Sequence, residues 1–348
     1  MIGINRIDPL KDPRWPEFLQ RHPDASIFHT PGWLEALRRT YGYEPVAFTT
    51  SSPTEGLANG LLFCCINSRF TGRRLVSLPF SDHCEPLTDD QENLIELLRF
   101  LEQNLKKEKW RYVELRPLNS RGNSLSGFEQ NQTARMHILN LSSSQDEIFR
   151  SFHKDSIQRK IRRAEREALT YEEGRSEQLL DQFYHLLLDT RRRHQLPPQP
   201  REWFHNLIDC LGDQLKIRVA SKDGQPMASI LTLGFKDVMV YKYGCSDAKY
   251  HNLGPMQLLF WKSIQEAKNN GLKEFDMGRS DSDNAGLAEF KDRWGATRST
   301  LTYLRYPASA ATKATSEGWG VRIAKQLFLR MPDGFLEAAG KLLYRHVG

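Results

Sequence analysis

The chain has 348 residues, 39% of them hydrophobic and 26% charged, with a formal net charge of +6. That length favours two domains, each large enough to bury a core. The composition is that of an ordinary soluble globular protein, and the absence of any run near 18 apolar residues excludes a membrane-spanning helix.

The opening residues, MIGINRIDPLKDPRW, lack the apolar core of a signal peptide, so a cytoplasmic location is expected. The five cysteines (Cys64, Cys65, Cys84, Cys210 and Cys245) form no CxxC pair and no zinc-ligand spacing with histidine, and they read as reduced and mostly structural. A modest positive charge suits a phosphate-bearing or otherwise anionic partner without identifying one.

In chain order, GWLEALRRTYG after Pro31 has helical periodicity and stops at Gly42, a residue suited to the left-handed end of a helix. EPVAFTT, GLANGLLFCCINSRF and TGRRLVSLPF read as neighbouring antiparallel strands, the second nearly all apolar and therefore central. QENLIELLRFLEQNLKKEKW is a strongly amphipathic helix that leads into the strand WRYVELRP.

Residues 146–174, DEIFRSFHKDSIQRKIRRAEREALTYEEG, read as a linking helix with a basic face that includes Arg159, Lys160 and Arg163. RRRHQLPPQPREWF, residues 191–204, reads as a Pro-rich loop able to wall a substrate. QLKIRVAS, the turn KDGQ, PMASILTLGF and DVMVYKYGC then form a three-strand meander, followed by the helix GPMQLLFWKSIQEAKNNG and the strand KEFDMGRS. Comparing WRYVELRP with LKEFDMGR, each after a long helix, suggests two copies of one α/β unit. From Ala308 a small-residue linker, ASAATKATSEG, precedes two short amphipathic segments, VRIAKQLFLRM and GFLEAAGKLLYRHVG.

The chemistry-bearing stretch is KEFDMGRSDSDNAGLAEFKDRWGA, residues 273–296. Asp281, Asp283 and Gly286 match part of a calcium loop, but Ala285 and Asp292 stand where further ligands are needed, and no metal is expected. Asp276 interrupts an apolar strand just before Gly278. Two readings of it stand side by side: a carboxylate that orients a nucleophilic amine, with Arg279 or Lys291 as partner, or an acid that holds the following turn through backbone hydrogen bonds. Lys291 sits on a short helix near Gly286, with Trp294 three residues on, and is either a cation for developing negative charge or a solvated lysine. The basic helix offers phosphate contacts or simply a solvated face, and His194 is either a base or an idle loop histidine. No nucleophile elbow, phosphate loop, dinucleotide fingerprint or zinc-protease motif is present. A transfer reaction without a covalent enzyme intermediate, which needs positioning and charge stabilisation, fits so faint a signature.

KIRRAERE, RRRHQLPPQP, YKYGCSDAKYHNLGPMQLLFWKSIQEAKNNG and FDMGRS followed by EFKDRWGA together resemble the Fem-type transferases and their relatives with a GNAT (BioF-like) acetyltransferase domain. FHTPGWLEALRRTYGYEP and RRLVSLPFSDHCEPL resemble that group's N-terminal domain, and the tail resembles members associated with exopolysaccharide export. The resemblance implies an α/β (α+β) chain of two tandem GNAT-like domains with mixed, largely antiparallel sheets flanked by helices, at residues 1–144 and 145–307, with a helical tail at 308–348. It implies transfer of an acyl or aminoacyl group, from acyl-CoA or aminoacyl-tRNA, to an amine of a cell-envelope glycan or peptidoglycan precursor. Asp276, Gly278, Arg279 and Lys291 match the family's strand acid, Gly-Arg and Phe-Lys positions. HNLGPMQ departs from the family's pyrophosphate loop, keeping only Gly254 at the start of its helix.

The expected site therefore has Asp276, Lys291 and Arg279 as catalytic residues. Arg159, Lys160, Arg163, His194, Gly254, Gly278 and Trp294 are expected to bind substrate. The expected partners are an anionic envelope precursor, with tRNA and peripheral membrane contact through the tail as further options and no DNA. The alternative is a non-catalytic protein that binds phosphate or an anionic polymer within a polysaccharide export system.

Overall fold

The computed structural model describes residues 3–119, 127–307 and 331–347. The linker ASAATKATSEG and all but the last residue of VRIAKQLFLRM lie outside the described residues. The chain divides into two compact units. Among the described residues, unit 1 gathers those up to 134, then 300–307 and 341–347; unit 2 gathers 135–299 and 331–340.

In unit 1 the helix α2 (Pro31–Tyr41) opens with Pro31 in its first turn, is capped by the Thr30 hydroxyl, and ends at Gly42 with φ +71°. The strands β2 (Glu44–Thr49), β3 (Leu61–Ser68) and β4 (Gly72–Ser77) then form an antiparallel meander with β3 in the middle, and β1 (Asn5–Ile7) pairs on the outer side of β2. The helix α3 (Gln91–Asn104) buries Leu94, Leu97, Leu98 and Leu101 and returns the chain to β5 (Val113–Leu115), parallel to β4. Its apolar side meets Phe48, Phe63, Trp110 and Val113 in one core. The C-terminal part of β12 (Thr297–Tyr306) pairs with β5.

Unit 2 repeats that order. The strands β8 (Leu215–Lys222), β9 (Gln225–Phe235) and β10 (Val238–Ser246) make the meander, α8 (Pro255–Asn269) crosses over, and β11 (Glu274–Asp281) returns parallel to β10. The strand β7 (Thr170–Gly174) flanks β8, and β6 (Glu129–Asn140) flanks β11 with its C-terminal part. The core joins Phe152, Ile157 and Ile161 with Leu259, Phe260, Phe275, Met277 and Trp294. The two copies expected from the sequence are thus two meander-helix-strand crossovers.

The linking segment is not one helix. The helix α4 (Gln145–Ser151), held by a Ser144–Glu147 capping box, ends at Phe152, whose backbone is extended so that its ring can enter the core. His153 then caps a wide turn at Lys154–Gln158 before α5 (Arg159–Arg166), and YEEG belongs to β7 rather than to a helix. The Pro-rich stretch is also shorter as a loop: Arg191–Arg193 close α6 (Glu177–Arg193) and Arg201–Phe204 open α7 (Arg201–Leu211). The first turns of α10 (Asp333–Val347) dock beside that loop, where Gly340 lies against the Pro198 carbonyl and the Glu337 carboxylate accepts from the Arg201 amide at 2.9 Å.

Arg218 is a buried cation in the middle of β8. Its guanidinium donates to Thr232 Oγ1 (3.1 Å), the Tyr171 hydroxyl (2.6 Å), Glu266 (2.5 Å) and Glu173, and Lys216 bridges the same two carboxylates. A buried charge is tolerated only when partnered in this way. Burial alone would raise the Glu173 carboxyl, but the bonds from Lys216 and Tyr171 and the Arg218 charge pull it down to about 2.

Candidate active site

The site is built on a strand pair that stays together for only three residues. β10 and β11 pair at Val238–Val240 and Glu274–Asp276, after which β10 carries an irregularity between Tyr241 and Tyr243. Such a bulge bends a strand and ends pairing. Tyr241 lies back over Gly244, where an added Cβ would stand 2.0 Å from the phenol oxygen and push the ring aside. Beyond Asp276 the other strand, still within β11, makes a tight bend at Gly278, whose φ of +71° suits glycine.

Asp276 and Lys291 both act on that turn. Asp276 is 3% exposed, and its Oδ1 accepts from the Gly278 amide at 2.6 Å, which is the geometry of the turn-holding reading. Lys291, 1% exposed, sits on α9 (Ala285–Asp292) and donates to the carbonyls of Gly278 (2.8 Å) and Arg279 (2.9 Å). It is therefore not a solvated lysine. The two side chains grip successive peptide groups of one turn, and neither lies in bulk solvent. Arg279 is half-buried and pairs with Asp281. Trp294 belongs to the core, stacked on Phe260 at 5.2 Å and edge-on to Phe152 at 4.9 Å.

Around the start of α8 the cations converge. Gly254 has φ +80°, and an added Cβ would stand 2.4 Å from the Lys160 carbonyl oxygen, so α5 and the mouth of α8 are in backbone contact. Lys160 Nζ donates to the His251 carbonyl at 3.1 Å. Burial, and then the charges of Arg293, Arg159 and Arg163, depress the Lys160 ammonium below the usual lysine range. His251 bonds Ser246 Oγ at 2.8 Å, while Arg193 donates to the Ser246 carbonyl at 3.0 Å. Burial, Arg193 and Lys160 lower the His251 imidazole in turn. Pro255 brings no amide, but Met256 and Gln257 follow it in the first turn, where backbone N–H groups lack partners within the helix. A helix N-terminus beside cations that repel one another is an arrangement an anion would relieve. His194 is exposed and lies next in sequence to Arg193.

Sequence reasoning missed four of these groups: Arg193, His251, Arg293 and His137. His137 on β6 is wholly buried and bonds Asp292 at 3.1 Å, while its Nδ1 has no hydrogen-bond partner among the described residues. A histidine facing a carboxylate from 155 residues away leaves no local signal. A separate surface pocket of about 410 Å³ is lined by Tyr171, Glu173, Lys262, Gln265, Glu266, Asn269 and Asn270. Its two carboxylates are those engaged by Arg218 and Lys216.

Unit 1 treats its equivalent strand tip differently. Beyond Ser77 and Leu115 the chain folds back, so that the Cys84 amide donates to the Arg116 carbonyl at 2.7 Å and the Arg116 guanidinium to the Leu78 carbonyl at 2.7 Å. Glu114, which matches Asp276 when WRYVELRP is compared with LKEFDMGR, is held by Arg116 and Arg305. Burial alone would raise its carboxyl, but the two guanidiniums keep it below the usual range. His29 and Cys84 meet at 3.3 Å in this region, and burial makes both inert, lowering the imidazole to about 4 and raising the thiol to about 12.

Residues 151–292 match a family model described as an acetyltransferase (GNAT) domain. No curated protein matches the chain. Three solved structures share the fold. The crystal structure of FemX is 15% identical, with a TM-score of 0.69, covering 87% of this chain and 97% of its own. A tandem GNAT protein from the clavulanic acid biosynthesis pathway is 8% identical, with a TM-score of 0.55 and coverage of 87% and 97%. L-PGS from Bacillus licheniformis is 17% identical, with a TM-score of 0.50 and coverage of 78% and 86%. The chain therefore has the fold of tandem GNAT proteins, and its residues 151–292 match the GNAT acetyltransferase domain.

Proposed function

We propose that the chain is an N-acyltransferase whose reaction runs in unit 2, where β10 and β11 part. The observation that carries this reading is the early end of that strand pair beside the cation-ringed start of α8. An acyl or aminoacyl donor enters with its phosphates toward Met256, Gln257, Lys160, Arg159 and Arg163, whether the donor is acyl-CoA or aminoacyl-tRNA. The acceptor amine attacks the donor carbonyl, the C–S or C–O bond breaks, and the leaving thiolate or ribose oxygen takes up a proton as the amine sheds one. Asp276 and Lys291 serve as positioning residues, because they hold the Gly278 turn that keeps β11 away from β10. Arg279, half-buried, and His194, exposed, are the side chains this reading assigns to the acceptor.

The acceptor class assigned here, an amine on a cell-envelope glycan or peptidoglycan precursor, rests on the likeness to Fem-type transferases, and a setting near exopolysaccharide export rests only on the resemblance of the tail sequence. Mass spectrometry of envelope precursors from cells with and without the protein tests it: a missing acyl or aminoacyl mass is expected in the deletion, and identical spectra would remove this acceptor class. The cation cluster also supports the second reading, a silent protein that binds an anionic polymer. In that case the purified chain holds RNA with a steep salt dependence and forms no product from either donor.

A further inference from the structure

The end of α10 in unit 1 carries a feature that acyl transfer does not use. Its last turns are held from one side. The Thr71 hydroxyl and Arg74 guanidinium donate to the His346 carbonyl at 2.9 and 2.7 Å, Ser68 Oγ bonds His346 Nδ1 at 3.0 Å, and the Tyr43 hydroxyl donates to the Tyr344 carbonyl. Carbonyls at a helix C-terminus need such donors. With that side anchored, Leu342 and Leu343 point outward, 62% and 42% exposed. They lie four and three residues before His346 and so neighbour it on the helix surface. Phe70 meets the same imidazole edge-on at 4.9 Å and is 79% exposed. Scattered exposed apolar side chains need no explanation, but three around one fixed helical turn do.

The charged residues of the two segments that carry them have one sign, with Glu108 approaching only at Arg73. Arg69 and Arg345 are exposed, and neither residues 67–74 nor residues 338–348 contain an aspartate or glutamate. A second copy of the chain docking here would set these cations against themselves. No described helix is long and apolar enough to cross a membrane. We infer that this face of unit 1 docks on the headgroup layer of an anionic phospholipid bilayer, with Phe70, Leu342 and Leu343 entering the interface and Arg69 and Arg345 meeting lipid phosphates. The inference does not depend on the acyl-transfer reading.

Sedimentation of the full chain with phosphatidylcholine vesicles, with and without phosphatidylglycerol, tests it. The chain is expected to pellet with the anionic vesicles and to be released as salt rises. The double variant Phe70→Ser, Leu342→Ser should lose roughly a hundredfold in partitioning, since each buried apolar side chain contributes about tenfold. Its melting temperature should not fall, because both side chains are exposed. Arg69→Glu with Arg345→Glu should abolish the preference for anionic lipid. No pelleting of the wild type, or pelleting unchanged by the serine variant, overturns the inference. So does a wild-type dimer in solution that the serine variant splits, because the occupant is then a second copy.

Discussion

Replacing Lys291 with methionine keeps the volume of a fully buried side chain and removes only its charge and donors. The buried Gly278 carbonyl and the partly buried Arg279 carbonyl then lose the ammonium that satisfies them at 2.8 and 2.9 Å. Each lost charged hydrogen bond is worth ~1.5–3 kcal/mol, so ~3–6 kcal/mol is at stake, less what the variant regains by no longer desolvating an ammonium. A net loss of ~2–4 kcal/mol is the expected outcome. Because the chain has two units and need not unfold in one step, the loss should be read locally, by amide hydrogen exchange at residues 278–281 during a urea titration. If Lys291 positions the turn, acyl transfer falls in step with local stability and partly returns at lower temperature. Unchanged exchange protection with turnover abolished would refute the positioning argument and make the ammonium a direct participant in the reaction.

Three further outcomes follow from the same geometry. His29 is held neutral at a pKa of about 4 against an ordinary 6.5, so the unfolded chain binds its proton first as pH falls; unit 1 should lose ~3 kcal/mol between pH 6.5 and 4, and His29→Gln should flatten that slope in acid denaturation followed by tryptophan fluorescence. Gly254→Ala forces a left-handed backbone on alanine and drives its Cβ into the Lys160 carbonyl, costing upwards of ~1–3 kcal/mol and weakening donor binding in calorimetry; wild-type affinity and stability would show that α5 yields freely. Arg218→Met removes the buried cation between Glu173 and Glu266 and leaves Lys216 alone with two partly solvated carboxylates, so a loss of ~1.5–3 kcal/mol is expected in thermal unfolding of unit 2; restoration by Glu173→Gln with Glu266→Gln would show that the unpaired carboxylates are responsible.

The meanders, the two crossover helices and the strand that ends in Asp276 were legible because each has its own periodicity and its own turn residues. Gly42, the Asp223–Gly224 turn and Gly254 sit where the left-handed backbone needs them. The linking segment misled because Phe149, Phe152 and Ile157 keep nearly helical spacing, and only the demand of the core for the Phe152 ring breaks the helix there. Site residues from one stretch, such as Asp276, Gly278 and Lys291, could be found together. His137 with Asp292 and Arg193 with Ser246 are pairs made by the fold alone, across separations that no motif spans. Lys291 shows the limit most plainly. Its neighbours in sequence mark an exposed helix, yet its ammonium is spent on two carbonyls of another element.

The backfolded segment of unit 1 also bears on stoichiometry. A molecule with two like crossovers invites the expectation of two donor equivalents per chain. Here residues 78–84 occupy one tip with their own backbone, so an equilibrium titration with donor should saturate at a molar ratio of one.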